Sequence, residues 1–101
     1  MYVVANRVYV NPGFEDEFEQ RFRHRAGQIE KQAGFISMEV LKPASEKTPY
    51  VVLTHWQDEA AFRGWVGSED FRQAHANPME QKAFAPGGGI EQYQLVVSTH
   101  I

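Results

Sequence analysis

Residues 3–10 read VVANRVYV, and the fold turns on how this stretch is read. β-Branched residues dominate it, so the pattern predicts a strand, in which residues two apart share a face. Val4, Asn6, Val8 and Val10 then line one face, and Val3, Ala5, Arg7 and Tyr9 line the other. A sheet with one wet face alternates cleanly between apolar and polar residues, and this stretch does not. Both of its faces must be covered. The exception is Asn6, an amide in the middle of an apolar wall. Burying an amide without partners costs about 2–7 kcal/mol, so it needs a role. It either satisfies a loop or helix end, or it points into a pocket where it can donate to a ligand.

Downstream, NPGFEDEFEQRFRHRAGQIEKQAGF (11–35) opens with turn residues and becomes helical. Phe14, Phe18, Phe22, Ile29 and Ala33 form one stripe at helical spacing, and Gly34 ends it. FISMEVLKP (35–43) and YVVLTHW (50–56) read as strands joined by a short loop, hence an antiparallel hairpin. Asp58 and Ser68 are candidate caps for two short helices, EAAFRGWV (59–66) and EDFRQAHA (69–76). A polar loop, NPMEQKAFAPGGG (77–89), leads to a last strand, IEQYQLVVSTHI (90–101). No helix follows the three glycines, so they are not a phosphate-binding loop. The order is β-α-β-β-α-β, an α+β, ferredoxin-like arrangement with a four-stranded antiparallel sheet and its helices on one face. No helix is left over for the second face, where residues 51–53, VVL, add to the apolar surface. A second copy of the chain is the economical cover. The expectation is a single domain over 1–101 that forms a homodimer, a dimeric α+β barrel.

Composition narrows the function. The chain has 101 residues, 43% apolar and 23% charged, with a net charge of −3. It has no run of Lys and Arg, which argues against nucleic acid as a partner. No apolar stretch approaches the length of a membrane span, and the N-terminus is already a strand pattern, so neither a span nor a signal peptide is expected. The absence of cysteine removes disulfides, thiolate metal sites and a Cys nucleophile, and fits the cytoplasm.

A few residues remain that could carry chemistry. His75 shares a helical face with Phe71 and Ala74; it is either a core histidine or, beside an apolar cavity, the kind of neutral imidazole that ligates haem iron. Trp65 lies with Ala61, Phe62 and Val66 on an apolar face and is by default core. Arg25 falls within the apolar stripe between Phe22 and Ile29; its stem snorkels to the surface, or its guanidinium meets an anion at a cavity rim. Arg21, one turn earlier, could do either. His24, His55 and His100 have no metal-ligand spacing, and no Ser-His-Asp or paired-carboxylate pattern occurs. Glu15, Asp16, Glu17 and Glu19 suit the first turns of a helix.

A strand with a central Asn, the RFRHRAGQIEKQAGF helix into Gly-Phe, and the segment VLTHWQDEAAFRGWVGSEDFRQAHA before a Gly-rich approach to the last strand together resemble the antibiotic biosynthesis monooxygenase superfamily. Within it, the chain is most similar to the IsdG-type haem-degrading monooxygenases, including the mycobacterial branch. The more specific part of the resemblance is the strand Asn combined with the helix Trp and a His ten residues later. It implies that His75 is the axial ligand of haem iron. Asn6 would donate a hydrogen bond on the distal side, toward bound oxygen or the adjacent pyrrole. Trp65 would press on the porphyrin and help distort it, Phe22 would line the distal pocket, and Arg25 would pair with a propionate or hold the pocket's entrance. Haem would be both substrate and cofactor, with O2 and an external electron donor, from a reductase or other reductant, completing the reaction. Two other readings stay open: a haem carrier without turnover, and a cofactor-free monooxygenase acting on quinol-type aromatics.

Overall fold

β1 (Tyr2–Val10) is hydrogen-bonded along both edges, to β3 (Tyr50–Trp56) and to β4 (Phe84–Gln94). The computed structural model describes residues 1–25 and 27–100. β2 (Phe35–Leu41) pairs with the free edge of β3, giving an antiparallel sheet in the order β2-β3-β1-β4. α1 (Glu15–Arg23) crosses over after β1, while α2 (Glu59–Val66) and α3 (Glu69–Ala74) follow β3. This is the ferredoxin-like α+β arrangement. The two central strands are those whose sequences are apolar on both faces.

The helix expected to run to residue 33 stops at Arg23. The stripe of Phe14, Phe18 and Phe22 loses its next member to Arg25, and Gly27 adopts a left-handed φ of 77° that no helix interior accommodates. The chain resumes as one 3-10 turn, Ile29–Lys31, whose Ile29 is buried at 3% exposure. The two short helices begin where expected: the Asp58 carboxylate accepts from the Ala61 amide at 2.9 Å, and the Ser68 hydroxyl accepts from the Phe71 amide at 3.0 Å. α3 ends at Ala74, two residues early, leaving His75 as its C-terminal cap.

The last strand departs most from expectation. β4 begins at Phe84, after a 3-10 turn at Gln81–Ala83, so the glycine run lies inside the strand and not in a loop. The register against β1 shifts between Arg7 and Tyr9. There a Cβ on Gly88 would stand 2.5 Å from the Arg7 carbonyl oxygen, so the bulge requires glycine. Pairing stops at Gln94, and residues 95–100 form no strand.

Two clusters fill the space between helices and sheet. Tyr2, Val4, Ile29, Trp56 and Trp65 pack beneath α2 and α3, and Phe18, Tyr50, Met79 and Ala83 pack beneath α1. Trp56 is wholly buried, its indole N–H donating to the Thr54 hydroxyl at 2.9 Å. The opposite face, with Val3, Arg7, Val51 and Leu53, is only half covered within one chain.

Gly34 enters β2 at φ 80°, where an added Cβ would lie 2.5 Å from the Ala61 Cβ of α2. Gly34→Ala should combine a backbone cost of about 1–2 kcal/mol with an overpacking cost of about 1–3 kcal/mol. Gly13→Ala, at φ 95° with open space around it, should show the backbone cost alone. Urea denaturation of the two variants checks this; equal losses would remove the packing cost.

Candidate functional site

A cavity of about 620 Å³ opens between the sheet and the helices, within the range of about 300–1,000 Å³ usual for ligand clefts. Its floor is Val4 and Asn6 of β1 with Val52 and Thr54 of β3. Phe22 closes the α1 side, Phe62 and Trp65 the α2 side, and Phe71 and His75 the α3 side. All five residues singled out in the sequence, Asn6, Phe22, Arg25, Trp65 and His75, line this one cavity, and Arg21 does not.

Asn6 stands opposite Val52 and Ile90 in the sheet, half-buried, and its side-chain amide makes no hydrogen bond among the described residues. The amide therefore faces the cavity with its donors unused. That favours the pocket reading over a structural one.

His75 is held from two directions. Its Nδ1 lies 2.8 Å from the Phe71 carbonyl oxygen, and its ring lies over the Phe71 ring with centroids 4.1 Å apart. A carbonyl only accepts, so Nδ1 carries the hydrogen and Nε2 of the neutral ring keeps its lone pair. Metal-ligating histidines commonly donate their second ring nitrogen's hydrogen to a carbonyl in this way. The imidazole is exposed, not a core residue. Phe71 in turn meets Trp65 edge-on, with centroids 5.4 Å apart and planes at 83°. Trp65, 5% exposed, is core and cavity wall together.

Arg25 lies in the connection after α1 and not on the helix. Its guanidinium carbon sits 5.4 Å from the Phe22 ring centroid, and Nη1 donates to the Met38 thioether at 3.0 Å. Its Nε is buried without a hydrogen-bond partner, and no ion pair among the described residues includes Arg25. Burial pulls its pKa below the ordinary arginine value, with Glu30 opposing. A half-buried cation whose acceptor is only a thioether has strong capacity left for an anion.

Met38, Arg63, Ile90 and Gln92 also line the cavity and were not anticipated. Ile90 and Gln92 stand across from Asn6 and Val4, a register set by the glycine bulge. Alternation alone could not place them. Among the described residues no group of three His, Asp or Glu side chains is gathered to hold a bare metal ion.

A smaller cavity of about 400 Å³ lies on the far side of Phe22 and Met38, which line both. Its polar edge is a cluster in which the Tyr50 hydroxyl donates to Glu19, while Lys42 and Arg23 approach the same carboxylate at 3.0 and 3.3 Å. The bond from Tyr50, followed by that from Lys42, holds the Glu19 carboxyl below its usual range. Burial, then Glu19, pushes the Tyr50 phenol up to about 12.

A ferredoxin-like sheet with a ligand-sized cavity between it and its helices defines the class of protein. The family follows from the sequence: residues 1–77 match the antibiotic biosynthesis monooxygenase profile, and the chain belongs to that family. The chain is 35% identical over 99 residues to a haem-degrading monooxygenase of Shouchella clausii, covering 96% of this chain and 92% of that protein. It is 32% identical over 95 residues to a mycobilin-producing haem oxygenase of Mycobacterium tuberculosis, covering 94% and 89%. It also superimposes with a TM-score of 0.82, at 29% identity and over 99% and 100% of the two chains, on the haem degrader of Mycobacterium tuberculosis solved with two haems bound in its active site.

The Tyr50–Glu19 bond ties α1 to the sheet and carries a pH signature. The folded phenol titrates near 12 against 10.0 ordinarily. Its contribution is therefore complete below pH 10 and is lost as pH rises through 12. In urea denaturation, the advantage of the native chain over Tyr50→Phe should hold at pH 8–9 and vanish toward pH 12. A constant gap would show that the phenol is not what α1 leans on.

Proposed function

We propose that this chain is a haem-degrading monooxygenase that oxidatively cleaves the porphyrin ring and releases its iron, with haem as substrate and cofactor. The single observation that carries the reading is His75, whose Nε2 lone pair is left available at the cavity by the Nδ1 bond to Phe71. The named relatives, haem oxygenases alike over nearly the whole chain, support it.

The donor set suits haem, which is apolar across its face and anionic at its propionate edge. His75 Nε2 would hold the iron, with the Phe71 carbonyl and ring fixing the plane of the imidazole. Arg25 would meet a propionate with a guanidinium whose Nε is otherwise unpartnered. Phe22 would exclude water from the distal side. Trp65, fixed by Phe71 and by burial, would present a rigid wall against which the macrocycle must bend. Asn6 would donate its amide hydrogen to oxygen above the ring or to the nearest pyrrole region. Bound haem supplies the redox-active iron and the ring that is oxidised. O2 and an external electron donor complete the reaction.

The half-covered sheet face, with Val3, Val51 and Leu53 beside the exposed Leu41 and Tyr93, supports a homodimer built across it. Among the described residues no helix is long and apolar enough to cross a membrane, and the reaction is proposed to take place in the cytoplasm.

Haemin titration of the apoprotein, then ascorbate in air with an iron chelator, tests the reading. The expected result is a saturable Soret band at one haem per subunit that decays as iron appears. A band that persists would mark a carrier, and no specific band would point to quinol-type aromatics. His75→Ala should lose the axial-ligand spectrum while keeping its circular dichroism. Asn6→Ala should bind haem and turn it over about a hundredfold more slowly, the scale of losing one preorganised donor; turnover at the native rate would leave Asn6 a structural amide.

A further inference from the structure

The segment from His75 to Ala83 joins α3 to β4 and is anchored firmly at its far end. Met79 and Ala83 are buried at 8% and 0% exposure, the Asn11 amide donates to Ala83 O at 2.8 Å, and Asn11 Nδ2 donates to Lys82 O at 2.9 Å. At its near end, the backbone amides of His75 and Ala76 close the last turn of α3 on Phe71 O at 3.1 Å and Gln73 O at 3.3 Å. Between these anchors, residues 75–78 are exposed, and one side chain reaches them from across the molecule. Arg21 of α1 donates through Nη1 to the carbonyl of Asn77, while its Nη2 lies 3.4 Å from Glu17, one turn back on the same helix.

α1 is a firm base for such a reach. Phe18 is 5% exposed with its ring 4.8 Å from that of Tyr50, and Glu19 accepts from the Tyr50 hydroxyl. The next residue after Arg21 is Phe22, a cavity wall. One helix thus supplies a wall on one side of the cavity and a tie to the segment that carries the imidazole on the other.

We propose that Arg21 is a positioning residue for His75: by holding the carbonyl two residues beyond it, Arg21 fixes where the imidazole stands relative to Phe22. The proposal rests on the haem reading above. Arg21 touches no ligand itself; it acts through the backbone of residues 75–77.

The test uses the full-length protein and three variants, Arg21→Ala, Arg21→Lys and Lys31→Ala, the last removing one exposed cation that enters no ion pair among the described residues. Amide hydrogen exchange of the apoprotein over residues 75–80 should quicken in Arg21→Ala and be largely restored in Arg21→Lys, which keeps a donor. Haem transfer from the loaded protein to an apoglobin scavenger should be about three- to tenfold faster in Arg21→Ala, the scale of one half-exposed charge-assisted hydrogen bond. The ferrous iron–histidine stretching band should broaden or shift. Lys31→Ala should match the native chain throughout. Unchanged exchange in Arg21→Ala would overturn the tie itself. Altered exchange with an unchanged transfer rate and stretching band would overturn the positioning role. Absence of any iron–histidine band in the native protein would overturn the haem reading and the positioning role with it, while the exchange result would still report on the tie.

Discussion

β1 is hydrogen-bonded to a neighbour along both edges for most of its length, so what it offers the rest of the molecule is chiefly a row of side chains on each face. The rest of the molecule is arranged around this constraint. On one face the row supplies Val4 and Asn6 to a cavity floor completed by β3. On the other, Val3, Ala5 and Arg7 continue the surface of Leu53 and Val51, and Arg7 pairs with Glu91 of β4 at 3.1 Å. The amide of Asn6 is thus presented at the centre of a rigid sheet. A donor there keeps its place to a degree that no loop residue could match.

The cavity's polarity is graded. Its middle is Val, Ile, Phe and Trp; its polar lining is Asn6 and Thr54 on the floor, Gln92 beside them, the His75 imidazole at the end of a short helix, and the guanidinium groups of Arg25 and Arg63. That distribution favours a flat, apolar molecule with anionic groups at one edge. Such selectivity comes from the site, because the same sheet and helices recur in proteins of other chemistry.

Much of this was legible in the chain. The strand pattern and the caps at Asp58 and Ser68 depend on local sequence and survive folding. Asn6, His75 and Arg25 stand out as polar residues among apolar ones, whereas Phe22 and Trp65 read as core from periodicity and as pocket walls only through the family resemblance. What could not be read depended on partners distant in sequence. The glycine run reads as part of a polar loop; it lies in a strand because it pairs with β1, and Gly88 is needed there because it passes within contact of the Arg7 carbonyl. That bulge sets which β4 residues reach the cavity, so Ile90 and Gln92 were invisible until the register was known. Arg25 was placed on a helix because its spacing from Phe22 and Ile29 allowed it. Gly27 broke the helix, and the interruption is what lets the guanidinium turn toward Met38 and Phe22. Nothing in the sequence linked Arg21 to Asn77, 56 positions apart.

Trp65 belongs both to the buried core and to the cavity wall, so a molecule that fills the cavity packs directly against the core. A ligand that fits is a structural component supplied from outside, and it stabilises the folded state by mass action. At a hundredfold excess over its dissociation constant it contributes about 2.7 kcal/mol, a sizeable share of the about 5–15 kcal/mol by which domains are stable at all. The chain's survival against proteolysis would then track the supply of that ligand: abundant substrate preserves the protein that consumes it, and scarcity exposes it to turnover.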